Sequence, residues 1–196
     1  MTFTPSYYPY DPNWSVPTKE ECLKYWDDFD LPVHIREHSR MVAVVADEIH
    51  AQCPVEVEIP GEALTAAALL HDLGKFYCIE HGGFHNQLGA SLVMDITGNP
   101  AIAQGVMHHV YWPGDVDIKK FFLPLVLIYS DKRVKHDKIV SLEDRFDDLF
   151  SRYGINERIN QLIQKSLSQA LAIQEQLKHE LGINLNASTF NSRRLV

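Results

Sequence analysis

The stretch Phe121-Phe122-Leu123-Pro124-Leu125-Val126-Leu127-Ile128-Tyr129-Ser130-Asp131-Lys132 is apolar on nearly every side when wound at about 100° per residue. A helix with that pattern is surrounded by other helices. Pro124 falls in its first turn, where the missing N–H removes no hydrogen bond. The segment therefore predicts the central helix of a bundle, and the sequence on either side supplies helices to surround it.

Upstream, Thr18 with Glu21 fits a capping box opening a helix over 19–29. Pro32 stands where helices begin, and 33–51 carries an apolar stripe of Met41, Val42, Val45, Ala46 and Ile49. After a connector marked by Pro54, Pro60 and Gly61, an alanine-rich helix spans 62–73 and ends at Gly74. Gly82 and Gly83 form a loop before a helix over 86–97, and Gly98, Asn99 and Pro100 start another reaching about residue 111. Downstream, Ser141 with Asp144 caps 142–153, and Gly154 separates it from an amphipathic helix over 156–181 closed by Gly182. Residues 184–196 read as a poorly fixed tail. Residues 55–59 alternate in polarity, but they lie between prolines with no partner strand. The expected fold is all α: residues 1–30 form an extension and first helix, 31–153 the helical core, and 154–196 a long helix and tail packed on the same domain.

With 196 residues, 45% of them hydrophobic and 22% charged, the chain is an ordinary globular protein long enough to build one core. Its formal net charge of −8 argues against broad binding to nucleic acid or to anionic membrane, which needs a cationic face. Small anionic substrates stay open if a metal or a few basic groups supply local positive charge. Cys22, Cys53 and Cys78 form no CxxC pair, and no apolar run approaches the ~20 residues of a membrane helix. The first sixteen residues, with Pro5, Pro9 and Pro12, lack the pattern of a secretory signal. A reducing cytoplasm is the expected location.

Polar residues interrupt the apolar stripes at places where the stripe should continue. His38 is four before Val42 and seven before Val45; His71 is three after Ala68 and seven after Leu64, with Asp72 next to it. His85 precedes Leu88, Leu92 and Ile96 by three, seven and eleven, His109 follows Val106 and Ile102, and Asp131 follows Leu127 and Ile128. Positions so spaced share a helix face, so all of these point inward. A single buried histidine is ordinarily a hydrogen-bonded core residue. Four of them with two carboxylates carry a large desolvation cost that a divalent cation offsets. Imidazole and carboxylate together suit iron, manganese, cobalt, nickel or zinc better than magnesium or calcium.

His38, then His71-Asp72 within Leu69-Leu70-His71-Asp72-Leu73-Gly74-Lys75, then Asp131 within Tyr129-Ser130-Asp131-Lys132, resembles the HD superfamily of metal-dependent phosphohydrolases, over roughly 33–133. His85 and His109 resemble the two additional histidines of its dinuclear branch. The interval from His71 to His85 is shorter than in the dinucleoside-tetraphosphate hydrolases of that branch, which leaves the specific substrate open. The resemblance implies a first metal on His38, His71, Asp72 and Asp131 and a second on His85 and His109, bridged by Asp72, with iron or manganese favoured. It implies cleavage of a phosphate ester or anhydride of a nucleotide or similar small metabolite. Two ions would ionise a bridging water and polarise a phosphoryl oxygen, and hydroxide would attack phosphorus in line. Asp72 and Lys75 would be catalytic, and Lys75 and Arg133 would neutralise phosphoryl charge, unless they are solvated surface cations.

His108 competes with His109 for the ligand position, and its ring faces about 100° away, over Gly105 and Ala101. His34, His50, His81, His136 and His179 read as surface or supporting residues. Tyr111 and Trp112 could stack on a nucleobase or simply pack the helix end. Three rivals stand beside the phosphohydrolase. His34-Ile35-Arg36-Glu37-His38 matches the HxxEH zinc-peptidase signature but leaves the other inward residues unexplained. A diiron oxygenase of the same superfamily would use the same ligands, and a non-catalytic nucleotide sensor would keep only the pocket. Whether the chain forms a homodimer is left open.

Overall fold

The computed structural model describes residues 8, 10–54 and 59–185. Most of the N-terminal segment, residues 55–58 of the alternating stretch and the tail from 186 onward lie outside the described residues. In chain order the elements are α1 (Lys19–Asp28), α2 (Val33–Ala51), α3 (Gly61–Leu70), α4 (Lys75–His81), α5 (His85–Thr97), α6 (Pro100–His108), α7 (Phe122–Lys132), β1 (Val134–Lys135), β2 (Lys138–Ile139), α8 (Leu142–Tyr153) and α9 (Glu157–His179). The fold is all α apart from the antiparallel pair β1–β2, in which Val134 faces Ile139.

Every residue of α7 is buried, as a surrounded helix requires. It packs against α2, α3, α6, α8 and α9. The expected α2 stripe is the buried one: Met41, Val42, Val45, Ala46 and Ile49 are all in the core. Local capping accounts for several starts. The Thr18–Glu21 box is formed in both directions. Asn99 Oδ1 accepts from the N–H groups of Ala101 and Ile102, each at 3.1 Å, just ahead of α6, and Asn156 caps α9 in the same manner through Ile159.

Three expectations change. The helix expected over 62–73 stops at Leu70, and a turn at residues 71–74 leads into the short helix α4, which periodicity alone does not reveal. The helix expected to reach residue 111 stops at His108. The hairpin at Val134–Ile139 is too short for an alternation to show in sequence, and His136 enters its turn with φ of 56°.

Two glutamines of α9 fix the irregular segment between α6 and α7. Gln169 accepts from the Trp112 N–H at 2.9 Å and donates to the Trp112 carbonyl at 2.8 Å. Gln176, seven residues on and therefore on the same face, does the same for the Ile118 N–H and the Val116 carbonyl, both at 2.8 Å. Backbone groups that no helix satisfies are thus paired without a strand.

Candidate metal centre

His71 is the cap residue closing α3 and His109 closes α6. The carbonyls of a helix's last turn have no intrahelical donor. Each histidine uses this: the Nδ1–H of His71 meets the Ala68 carbonyl at 2.7 Å, and that of His109 meets the Val106 carbonyl, also at 2.7 Å. His38, on α2, places its Nδ1 3.1 Å from the His136 carbonyl in the hairpin turn. With Nδ1 committed to a carbonyl, the lone pair of a neutral ring lies on Nε2. All three Nε2 atoms converge on the carboxylates of Asp72, in the α3–α4 turn, and Asp131, on the last turn of α7.

The distances divide the cluster in two. Asp72 Oδ2 lies 3.4 Å from His71 Nε2 and 4.0 Å from His38 Nε2, while Oδ1 lies 3.5 Å from His85 Nε2 and 3.7 Å from His109 Nε2. Asp131 Oδ1 joins the first pair, 3.0 Å from His38 Nε2 and 3.9 Å from His71 Nε2. His85 and His109 oppose their Nε2 atoms at 3.1 Å. Two sets of donor atoms lie close enough together to share an ion, one from His38, His71 and Asp131 and one from His71, Asp72 and His109. His71 Nε2 and Asp72 Oδ1 are buried without a hydrogen-bond partner, which is costly for polar atoms unless cations take them. The residues fit a divalent metal.

The electrostatics agree with that fit. Burial disfavours charge on Asp72, but His71 and Lys75 outweigh it and hold the carboxyl well below its usual range. Burial is likewise outweighed at Asp131 by Lys132 and His38. At His71, burial lowers and the two carboxylates raise, and the net shift is upward. Burial pushes His109 down to about 3 and also lowers His85, so both rings are neutral and ready to ligate at neutral pH.

A model of the HD domain family matches residues 35–149. The chain belongs to the HD domain family. Members of this family are in general metal-dependent hydrolases, and the buried His and Asp groups of this HD domain are able to hold a divalent metal. No curated protein and no solved structure gives a significant match.

A cavity of about 390 Å³ opens on the centre of the HD domain, bounded by Asp72, Asp131, His85 and His109. Lys75 reaches into it and donates to Asp72 Oδ2 at 2.7 Å. Arg133 is not on its walls: the guanidinium donates to the Tyr129 hydroxyl and the Val140 carbonyl, each at 2.7 Å, and anchors the hairpin. The neighbouring Lys132 lines the cavity instead, 2.5 Å from Asp131 Oδ2. His108 turns away and packs edge-on against Trp112, ring centroids 5.2 Å apart. Trp112 is itself fully buried, against Phe121, and packs rather than stacks on a ligand. His34 is exposed, so the HxxEH pair does not meet at one site.

Sequence reasoning missed Lys132 and the α8 wall, where Arg145, Leu149 and Tyr153 line the cavity. Their spacing of four puts them on one helix face, a signal present in the sequence. It also places α5 differently: its buried residues are Gly89, Ala90 and Val93, and Leu88, Leu92 and Ile96 are only half-buried. His85 still shares a face with Gly89 and Val93, four and eight residues on, which is why it reaches Asp72.

Proposed function

We propose that this chain is a metal-dependent phosphohydrolase, cleaving a phosphate ester or anhydride of a nucleotide or similar small phosphorylated metabolite in the cytoplasm, with one or two iron or manganese ions. The observation that carries the reading is the division of Asp72: one oxygen faces His38 and His71, the other His85 and His109, and two lysines border the same cavity. When bound, divalent ions acidify water and polarise a phosphoryl oxygen.

The chain's own groups do the rest. His38, His71, Asp72 and Asp131 would hold one ion, and His85 and His109, with Asp72, would hold a second. Lys75 pairs with Asp72 and Lys132 with Asp131 at the edge of the cavity. Both ammonium groups line the cavity and would bind phosphoryl oxygens there. Ile79, Val110 and Leu149 make part of the cavity wall apolar, and Tyr153 offers a ring at its edge, which suits a nucleoside-sized body. The size is that of a small-molecule site, which suits a small phosphorylated partner. Lys132 and Lys75 on the cavity wall suit an anionic substrate.

A phosphatase screen over nucleotides and dinucleoside polyphosphates, with manganese or ferrous iron added, tests this reading. Phosphate release that is lost in His71→Ala and in Asp72→Ala supports it. Turnover untouched by those changes, or oxygen consumption without phosphate release, overturns it.

A further inference from the structure

Arg145 projects from α8 into the same cavity, with its side chain only 14% exposed. Its Nε is buried and has no hydrogen-bond partner. A guanidinium N–H removed from water without an acceptor is costly, the more so because the group cannot shed its charge. Among the described residues the acid it pairs with is Asp148, at 3.4 Å, and that carboxylate also takes Lys135 at 3.0 Å and Arg152 at 3.3 Å. One negative charge serves three cations. Elsewhere on the cavity wall Asp72 and Asp131 are matched one to one by Lys75 and Lys132. Arg145 is therefore surplus positive charge facing an open space, and it faces that space together with Lys75, whose charge it opposes. Divalent ions on the histidines and carboxylates increase the surplus. A phosphomonoester brings roughly two negative charges, and an anhydride brings more, spread over a longer chain of phosphoryl groups.

We infer that Arg145, on the α8 wall of the cavity and apart from the His–Asp cluster, forms a second anion subsite that binds a phosphoryl group other than the one that reacts. The preferred substrates are then phosphoanhydrides, such as nucleoside di- or triphosphates, over monoesters. This rests on the phosphohydrolase reading for its consequence in catalysis, but the subsite itself is a binding property. The guanidinium as a whole lines the cavity, and its planar set of N–H donors suits phosphate oxygens in a way that a lysine does not reproduce.

Calorimetric titration of the metal-stripped, full-length protein with inorganic pyrophosphate and with orthophosphate tests the subsite without turnover. The expected result is a preference for pyrophosphate of tenfold or more, collapsing to within about twofold in Arg145→Gln and intermediate in Arg145→Lys. No preference in the wild-type protein, or a preference that survives Arg145→Gln, overturns the inference. If Arg145→Gln loses its helical circular dichroism, the wild-type preference and Arg145→Lys decide in its place. In the manganese-loaded protein, the ratio of kcat/KM for a nucleoside triphosphate to that for p-nitrophenyl phosphate should fall tenfold or more in Arg145→Gln; an unchanged ratio also counts against it. Pyrophosphate preference without hydrolysis of any substrate would leave the subsite standing and sink the hydrolase reading alone.

Discussion

Asp72 is 1% exposed, yet its two oxygens face four imidazoles and a lysine. Asp72→Asn keeps the shape and removes the charge that both histidine pairs share. It should cut phosphate release at least ~100-fold and lower the bound metal measured by elemental analysis; full metal content would contradict the shared-ligand role. His109 governs a different observable. Its folded pKa lies at about 3 because of burial, whereas an unfolded histidine titrates near ~6.5. Between those values the unfolded state binds a proton that the folded state refuses, so stability of the metal-stripped protein falls as pH drops, by up to ~1.4 kcal/mol per unit. Urea midpoints at three pH values should show this slope, reduced in His109→Gln. His71 acts in the opposite sense: its raised pKa adds stability that is full below the unfolded value and is lost as pH climbs through the folded one. At this scale the inward histidines were legible because helix periodicity fixes a side chain's face. Lys132 in place of Arg133 was not legible, because one residue's rotation past the end of α7 decides which cation meets Asp131.

Helices bring these residues together only where backbones approach closely. A Cβ at Gly74 would lie 2.7 Å from the Gly89 N and 2.8 Å from the His85 carbonyl oxygen, both backbone atoms of α5. Gly74→Ala must push α5 away, and His85 with it. The expected cost is about 1–3 kcal/mol, together with loss of the second metal. Gly105→Ala is the informative contrast. Its Cβ would meet the tip of Leu123, at 2.4 Å, and a side chain can turn aside where a backbone cannot. The gain of ~1 kcal/mol from replacing glycine within a helix offsets much of that clash, so the melting temperature should move little. Equal damage from both substitutions would refute the backbone-contact account. The Gly74–Gly89 contact was hidden in the sequence because glycine there reads as a helix terminator; the turn, the short α4 and the close packing of α5 are consequences of tertiary contact.

Across the whole molecule, the groups able to hold an ion come from α2, the α3–α4 turn, the end of α6 and α7, so an ion bound there would tie much of the bundle together. Binding to the folded state alone should stabilise it by about 2.7 kcal/mol at a free ion concentration of 100 Kd. For a chain of this length that corresponds to a rise of roughly 5–10 °C in Tm on adding manganese to stripped protein, reversed by chelator. The shift should be smaller in Asp72→Asn; an equal rise there would place the ion elsewhere. No described helix is long and apolar enough to cross a membrane. Despite the acidic net charge, Lys75, Lys132 and Arg145 are gathered at the cavity beside the His–Asp cluster, where the proposed anionic substrate would meet them.

The sequence by itself determined the all-helical class, the central position of α7 and the inward faces of His38, His71, His109 and Asp131, because polarity repeating every three to four residues dictates which face of a helix leaves water; Asp72 came with its neighbour His71, and His85 was read from a stripe that is only half-buried. Tertiary structure alone decided that Asp72 divides its oxygens between two histidine pairs, that Trp112 is buried in the core, that Arg133 donates to Tyr129 and Val140, and that Arg145 reaches the cavity from α8. These depend on distances between segments far apart in the chain, which the folding of the bundle sets and no local pattern encodes.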